Sequence, residues 1–549
     1  MKKLLLALCL CIAADAMAQY KFEGFDILPG TGNSSNPSNF MTVGGRLYFT
    51  ANTTGGGTEL YTIDPPFHQA SMIADINPGS LSSNPGDFFD YNGKLLFTAD
   101  NGGTGKELWI SDGTASGTYM IQDILLGIIG SAPHGFCLAG GKVYFGATTL
   151  TEGEELWVTD GTTVGTSMVK DINPGINNSV VSNIYNFNDT VFFSADNGSG
   201  AGSELWKSDG TAAGTKMVKD IAGGSFSGAP KMFVTLNGKL YFIAFTTSAG
   251  EEWWTTNGTA AGTTMILDLG AGWPSGPSTL NNFVAVFNNA IYFNGGTAPP
   301  VASPTGAELY KTDGTVGGTV LVKEMSPGAA GTVLTSPYIW NNKLYFTADV
   351  PGSGKELWVS DGTTAGTSMV SDILAGASSS NPSNSVVFKN KMFFAANTTT
   401  TDRQLYMTDG TGAGTSVVMP SGGLLNALDT SIFRGGAVLD SMLFFAANYD
   451  TKGAELWMMK DTSATGVQRI NIDNGVTLYP NPNNGTFVLQ INNDFKKGTV
   501  CVYDMMGRSV YQSPVYQRSS IINMNAAKGV YTVKLQLDDA IITKRITAQ

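Results

Sequence analysis

The string Glu-Leu-Trp-x-x-Asp-Gly-Thr, or a close variant of it, recurs nine times in this 549-residue chain. The copies begin at Glu59, Glu107, Glu155, Glu204, Glu252, Glu308, Glu356, Gln404 and Glu455. Successive copies stand 48 or 49 residues apart, except for gaps of 56 after the fifth and 51 after the eighth. A register held over so many copies means that one supersecondary unit is repeated. Such a unit must bury its apolar faces against its neighbours.

Four apolar runs can be read in each unit. In the third they are residues 135–138, 142–145, the run from Glu155 to Trp157, and 168–172. They are apolar on both faces rather than alternating, so both faces are covered. Gly-, Asn- and Asp-rich pairs mark the turns between them. Four short strands within about 40–50 residues, many times over, are the pattern of propeller blades, whereas a solenoid coil needs about 20–30. The expected fold is all-β: a β-propeller of eight to nine four-stranded blades, followed by a small C-terminal β-sandwich. Residues 21–27 read as a displaced fourth strand that closes the ring, and residues 468–472 compete for that place. The repeats give nine blades, or eight if one unit opens. The repeated string resembles the bacterial ELWxxDGT repeat family, over roughly residues 20–472.

Composition agrees with many strands and tight turns: 68 glycines, with charged residues only 14 % of the chain. The first 18 residues have a basic end at Lys2 and Lys3, an apolar run and Ala16-Met17-Ala18, the pattern of a secretory signal peptide. No other segment is apolar over a bilayer-spanning length. Cys9 and Cys11 leave with that signal, so Cys137 and Cys501 cannot form a disulfide framework or a thiolate metal site. The body, residues 19–472, has 22 basic against 38 acidic residues, a net charge of −16. That sign argues against nucleic acid as a partner.

The repeated residues invite functional readings that the fold can absorb. Asp112, Asp160, Asp209, Asp313, Asp361 and Asp409, with Asn257 in the fifth copy, read as structural turn residues that accept backbone N–H groups. The repeated Glu and Trp read as folding residues too, because a catalytic site breaks symmetry whereas folding residues follow it. No cofactor is assigned; the Asp/Asn-Gly loops leave calcium open but lack the spaced carboxylates of a dedicated calcium loop. His68 and His134 are the only histidines, and no hydrolase, zinc-protease or phosphate-loop motif is present. No catalytic residue or metal ligand is therefore named. Ligand-binding candidates come from departures from the repeat. They are Trp253 and Trp254 in the fifth copy, Trp273 just after it, and the insertion at 297–304 in the sixth unit.

After about residue 472 the repeat stops. Leu478-Tyr479-Pro480-Asn481-Pro482-Asn483, then Val500-Cys501-Val502-Tyr503-Asp504, then Lys528-Gly529-Val530-Tyr531 form a new strand-and-turn pattern that ends at Thr543-Lys544-Arg545-Ile546. Residues 473–549 resemble the type A C-terminal sorting domain of the Bacteroidetes type IX secretion system. That resemblance implies passage through the periplasm to the cell surface or beyond, recognition by the secretion machinery, and Lys544 and Arg545 within the recognised region. The expected organisation is thus a signal peptide at 1–18, the repeat propeller at 19–472 and the sorting module at 473–549. The leading functional expectation is a non-enzymatic surface or extracellular propeller that binds a glycan or another protein. A secreted polysaccharide-degrading enzyme on the same scaffold and a structural adhesive or matrix protein stand as alternatives. Oligomeric state is not readable.

Overall fold

The apolar runs form strands, and antiparallel pairing joins them four at a time in the computed structural model of the chain. The structure describes residues 20–462 and 476–549, apart from 31, 56, 65–68, 271–275, 278–281, 297–305, 329–330, 401, 419–434, 492–497, 505–508, 525–526 and 538–539. Every regular element among the described residues is a strand. The chain divides into two units, residues 1–462 and 463–549.

The described residues of the first unit form nine four-stranded sheets, one for each copy of the repeated string. In the second sheet Gly86–Tyr91, Lys94–Asp100, Lys106–Ser111 and Tyr119–Gln122 pair in sequence order. The ninth is assembled from both ends of the unit. Gly436–Leu439, Met442–Ala447 and Glu455–Asp461 supply three strands, and Tyr20–Phe25 supplies the fourth, with Tyr20 opposite Asp461 and Phe25 opposite Leu456. The first strand of every sheet lies beside the first strands of its two neighbours. The circle closes where Ser38–Val43 meets Gly436–Leu439, and there the Thr42 hydroxyl donates to the Val438 carbonyl at 3.2 Å. This is a nine-bladed propeller closed by its N-terminal strand. The competing segment at 468–472 lies outside the described residues.

Side-chain alternation explains why each strand is apolar on both faces. In the Glu-Leu-Trp strand, Leu and Trp point to opposite sides of the sheet. Leu60 of the first blade packs with Phe97 and Trp109 of the second, and Leu108 of the second packs with Phe145 and Trp157 of the third. Each blade therefore offers its Leu place forward and its Trp place, filled by Trp or Tyr, backward. Phe49, Phe97, Phe145 and Phe193 of the second strands are fully buried between blades. The first strands are bent by a register shift at a residue in the left-handed region: Asn39, Asp87, Asn183 and Asn384 have φ between 53° and 57°. Asn and Asp tolerate that conformation better than other non-glycine residues, and the bulge lets the innermost strand turn toward the axis.

The second unit is a sandwich of two sheets. Val476–Tyr479, Thr486–Ile491 and Ser519–Asn523 form one; Ser509–Val515, Gly498–Tyr503, Gly529–Leu537 and Ala540–Ala548 form the other. Phe487, Leu489, Val500, Val502, Val533 and Ile546 meet in its core.

Closure by Tyr20–Phe25 has a direct test. Removing residues 20–27 leaves Glu455–Asp461 with an unpaired edge, which lowers the thermal midpoint and makes the protein associate with rising concentration. Unchanged melting and a monodisperse solution by light scattering would contradict this closure.

Candidate functional site

The repeated Glu sits at the start of the third strand of its blade and is fully buried in Glu107, Glu155, Glu204, Glu308 and Glu356. Its carboxylate faces the crossover that carries the chain from the fourth strand of its own blade to the first strand of the next. In the second blade Glu107 accepts from the Ile124, Leu125 and Ser131 backbone N–H groups at 3.2, 3.2 and 2.7 Å, and from the Ser131 hydroxyl at 2.5 Å. Glu59 holds Ile76 and Ser83 in the same way, and Glu356 holds Ile373 and Ser380. In the ninth blade Glu455 reaches across 420 residues to the Ser35 backbone and hydroxyl, and also accepts from the Ile27 N–H at 3.1 Å. One carboxylate thus locks the joint that follows every blade but the eighth, the closing joint included.

Burial pushes these carboxyls up. Desolvation is the largest cause in every resolved case, and it lifts Glu155, Glu204 and Glu252 to about 7 against the hydrogen bonds that favour the charged form. Gln404 replaces Glu in the eighth blade, a neutral side chain of the same shape, and its Nε2 donates to Asp402 at 2.9 Å.

The Asp-Gly-Thr turn is closed on itself. Asp112 Oδ1 accepts from the Thr114 N–H at 2.9 Å and the Thr114 hydroxyl at 2.7 Å. Asp160, Asp209, Asp313, Asp361 and Asp409 make the same pair of bonds. Asn257 makes it too, at 3.0 and 2.7 Å, so the turn needs a carbonyl-type oxygen rather than a charge. The threonine bonds hold the six aspartates below the usual carboxylate range. Gly117 must be glycine, because a Cβ there would collide with the Asp112 carboxylate. The turn also joins blades: Gly210 and Gly362 pack against the hydroxyls of Tyr144 and Tyr292 on the preceding blades.

The tryptophan candidates have other roles. Trp254 occupies the regular Trp place, packed with Leu205 and Phe242, and is 7 % exposed. Trp253 takes the Leu place and is 3 % exposed, with its ring edge-on to Phe293 of the sixth blade at 5.6 Å. The expectation that these two stack a ligand is corrected by that burial, because neither indole presents a face to solvent. Trp273, the insertion at 297–304 and His68 lie outside the described residues. His134 Nε2 stands 3.6 Å from Glu154, and no group of three or more His, Cys, Asp and Glu suited to a metal ion occurs among the described residues. The Asp of the fourth strand caps its own crossover, as where Asp220 Oδ1 accepts from the Gly223 N–H at 2.8 Å.

In the second unit the Tyr-Pro-Asn-Pro-Asn segment and the chain end form one place. Asn481 Nδ2 donates to the Arg545 carbonyl at 3.1 Å, and its Oδ1 accepts from the Thr547 N–H at 2.8 Å. The Asn483 N–H donates to the Thr547 carbonyl at 2.9 Å. Arg545 is exposed and Lys544 partly so, on the strand whose edge Asn481 covers. Sequence reading missed this tie, and missed the serine 24 residues after Glu59, Glu107, Glu155 and Glu356, although that second spacing is present in the chain.

Two stability consequences follow. Glu107→Ala leaves three backbone N–H groups, two of them buried, without their acceptor and lowers stability by about 2–4 kcal/mol in denaturant unfolding; a loss below about 0.5 kcal/mol would refute the clasp. Because the folded pKa of Glu155, Glu204 and Glu252 is about 7 and the ordinary value is 4.5, the folded protein binds more protons than the unfolded one between them. Their contribution is therefore complete below about pH 4.5 and is lost as pH rises through about 7. The thermal midpoint at fixed ionic strength should fall over that window, and Glu204→Gln should flatten the fall.

Comparison with known proteins bears on the two units differently. Puromycin hydrolase matches with 14 % identity over 68 % of this chain and 61 % of its own length, at a TM-score of 0.35. An acylaminoacyl peptidase of Pyrococcus horikoshii matches with 10 % identity over 78 % of this chain and 59 % of its own, at 0.34. PorZ of Porphyromonas gingivalis, described as a bacterial surface component of the type IX secretion system, matches with 13 % identity over 95 % of this chain and 87 % of its own, at 0.21. This chain thus spans less than two thirds of the length of the two hydrolases. Among curated proteins no match is found. The family model for the secretion system C-terminal sorting domain matches residues 477–549. The second unit is therefore a type IX C-terminal sorting domain, and the chain that carries it is a secreted or cell-surface protein.

Proposed function

We propose that the propeller is a binding module, delivered by its sorting domain to the cell surface or the medium, that takes a glycan or protein ligand through loops on one face of the ring. The observation that carries this reading is the engagement of the repeated side chains. The Glu-Leu-Trp residues are consumed by the joints and interfaces of the ring, and the Asp-Gly-Thr residues by their own turns. What remains to differ from blade to blade is loop sequence displayed on a rigid frame, the usual arrangement of a recognition surface. The insertion at 297–304 and the glycine-rich stretch holding Trp273 are further departures from the repeat in sequence.

The test combines a glycan array with a reducing-sugar assay on the purified secreted chain. Retention of particular glycans or of surface proteins, with no sugar released, is the expected result. Sugar release that disappears on substitution of an Asp or Glu would overturn the reading in favour of a polysaccharide-degrading enzyme.

A further inference from the structure

Antiparallel pairing sends the crossovers and the hairpins between second and third strands to one side of the ring, and the Asp-Gly-Thr turns to the other. On the crossover side, blades one to four carry Leu81, Leu126, Ile128, Ile129, Ile176 and Phe226, each 53–79 % exposed. The repeat supplies an internal control for three of these side chains. The residue 22 positions after the repeated Glu is Leu81, Ile129 and Phe226 in blades one, two and four, but Asn177 in blade three and Ser378 in blade seven. Blades three and seven make the same carboxylate clasp. The crossover therefore folds without an apolar side chain at that position, and the fold does not account for its presence. Exposed apolar groups on the same side of four successive blades mark a contact.

Charge on that side of the four blades is one-sided. The segments 75–85, 100–106, 123–133, 149–154, 171–181, 196–203 and 220–230 contain eight Asp/Glu and one Lys/Arg. The single cation, Lys106, is bound to Asp87 at 2.8 Å. Such a surface repels nucleic acid and anionic lipid headgroups, and attracts a partner that brings both positive charge and apolar side chains.

We infer that the crossover side of blades one to four is a docking surface for a basic amphipathic polypeptide segment. The inference rests on the binding-module reading and names the class of partner. The test uses the full secreted chain and a fluorescent 18-residue peptide of Lys and Leu in amphipathic helical order, with an all-Lys peptide and a Glu/Leu peptide as controls. The Lys/Leu peptide should bind, with affinity falling at least tenfold between 50 and 500 mM salt (about 1.4 kcal/mol per tenfold). The double substitution Ile128→Asn with Ile129→Asn should weaken it at least tenfold while the thermal midpoint stays unchanged. Val164→Asn with Val316→Asn, on exposed tips of the opposite side, should leave it unaltered. Equal binding of the all-Lys peptide, or equal loss from the opposite-side pair, would overturn the proposal. Self-association of the chain abolished by the Ile128/Ile129 substitutions would also overturn it, by making a second copy the occupant. Glycan binding that survives those substitutions while no peptide binds would sink the docking surface and leave the binding-module reading standing.

Discussion

Nine-fold closure depends on a polar contact hidden inside an apolar ring. Each blade must hand the chain to the next through a crossover whose backbone N–H groups point into the protein, where water cannot satisfy them. An unpaired buried N–H is costly, and several at every joint would outweigh much of the apolar gain between sheets. The Glu carboxylate answers all of them at once: Glu107 alone takes three backbone N–H groups and a hydroxyl. Its own burial is unfavourable, which the raised pKa values record, so the clasp works only with its acceptor positions filled. The Gln at position 404 keeps the shape and relinquishes the charge.

Apolar packing then joins neighbouring blades but sets neither their order nor their number. Because the Leu and Trp places of one strand face opposite neighbours, the interfaces are built on one plan that does not itself fix which blade follows which. The count is fixed by covalent connection and by where Tyr20–Phe25 finds an open edge, beside Glu455–Asp461. Glu455 then treats Ile27 and Ser35 as the other clasps treat their own crossovers, although they lie more than 400 residues away in sequence.

Much of this was legible in the chain. The repeat length, the two-faced strands and the Gly/Asn turns lead to four-stranded blades, and residues 21–27 lead to the closing strand. The separation of nine blades from eight was not legible, because residues 468–472 competed by pattern with 21–27 for the closing place. Trp253 misled for a physical reason. A Trp in the Leu place looks like an exposed anomaly in sequence, yet alternation turns it into the next interface, where it meets Phe293. The clasp partner Ser131 lay in plain view, 24 residues after Glu107, but hydroxyl positions carry no apolar period and so leave no pattern of their own. The exposed Ile128 and Ile129 were equally hidden, since an apolar residue in a string reads as core until its exposure is measured.

The pairing of Tyr20 with Asp461 has a mechanical side. The two ends of the ring leave it at a single rung of one ladder, so tension applied between them would peel Tyr20–Phe25 away rung by rung, from Tyr20 toward Phe25, in an unzipping geometry. The same tension applied across two interior blades would have to shear whole sheets past one another. A tether attached through the sorting domain alone leaves that weak seam unloaded, and an attachment that also gripped the N-terminus would open the ring at its mildest force.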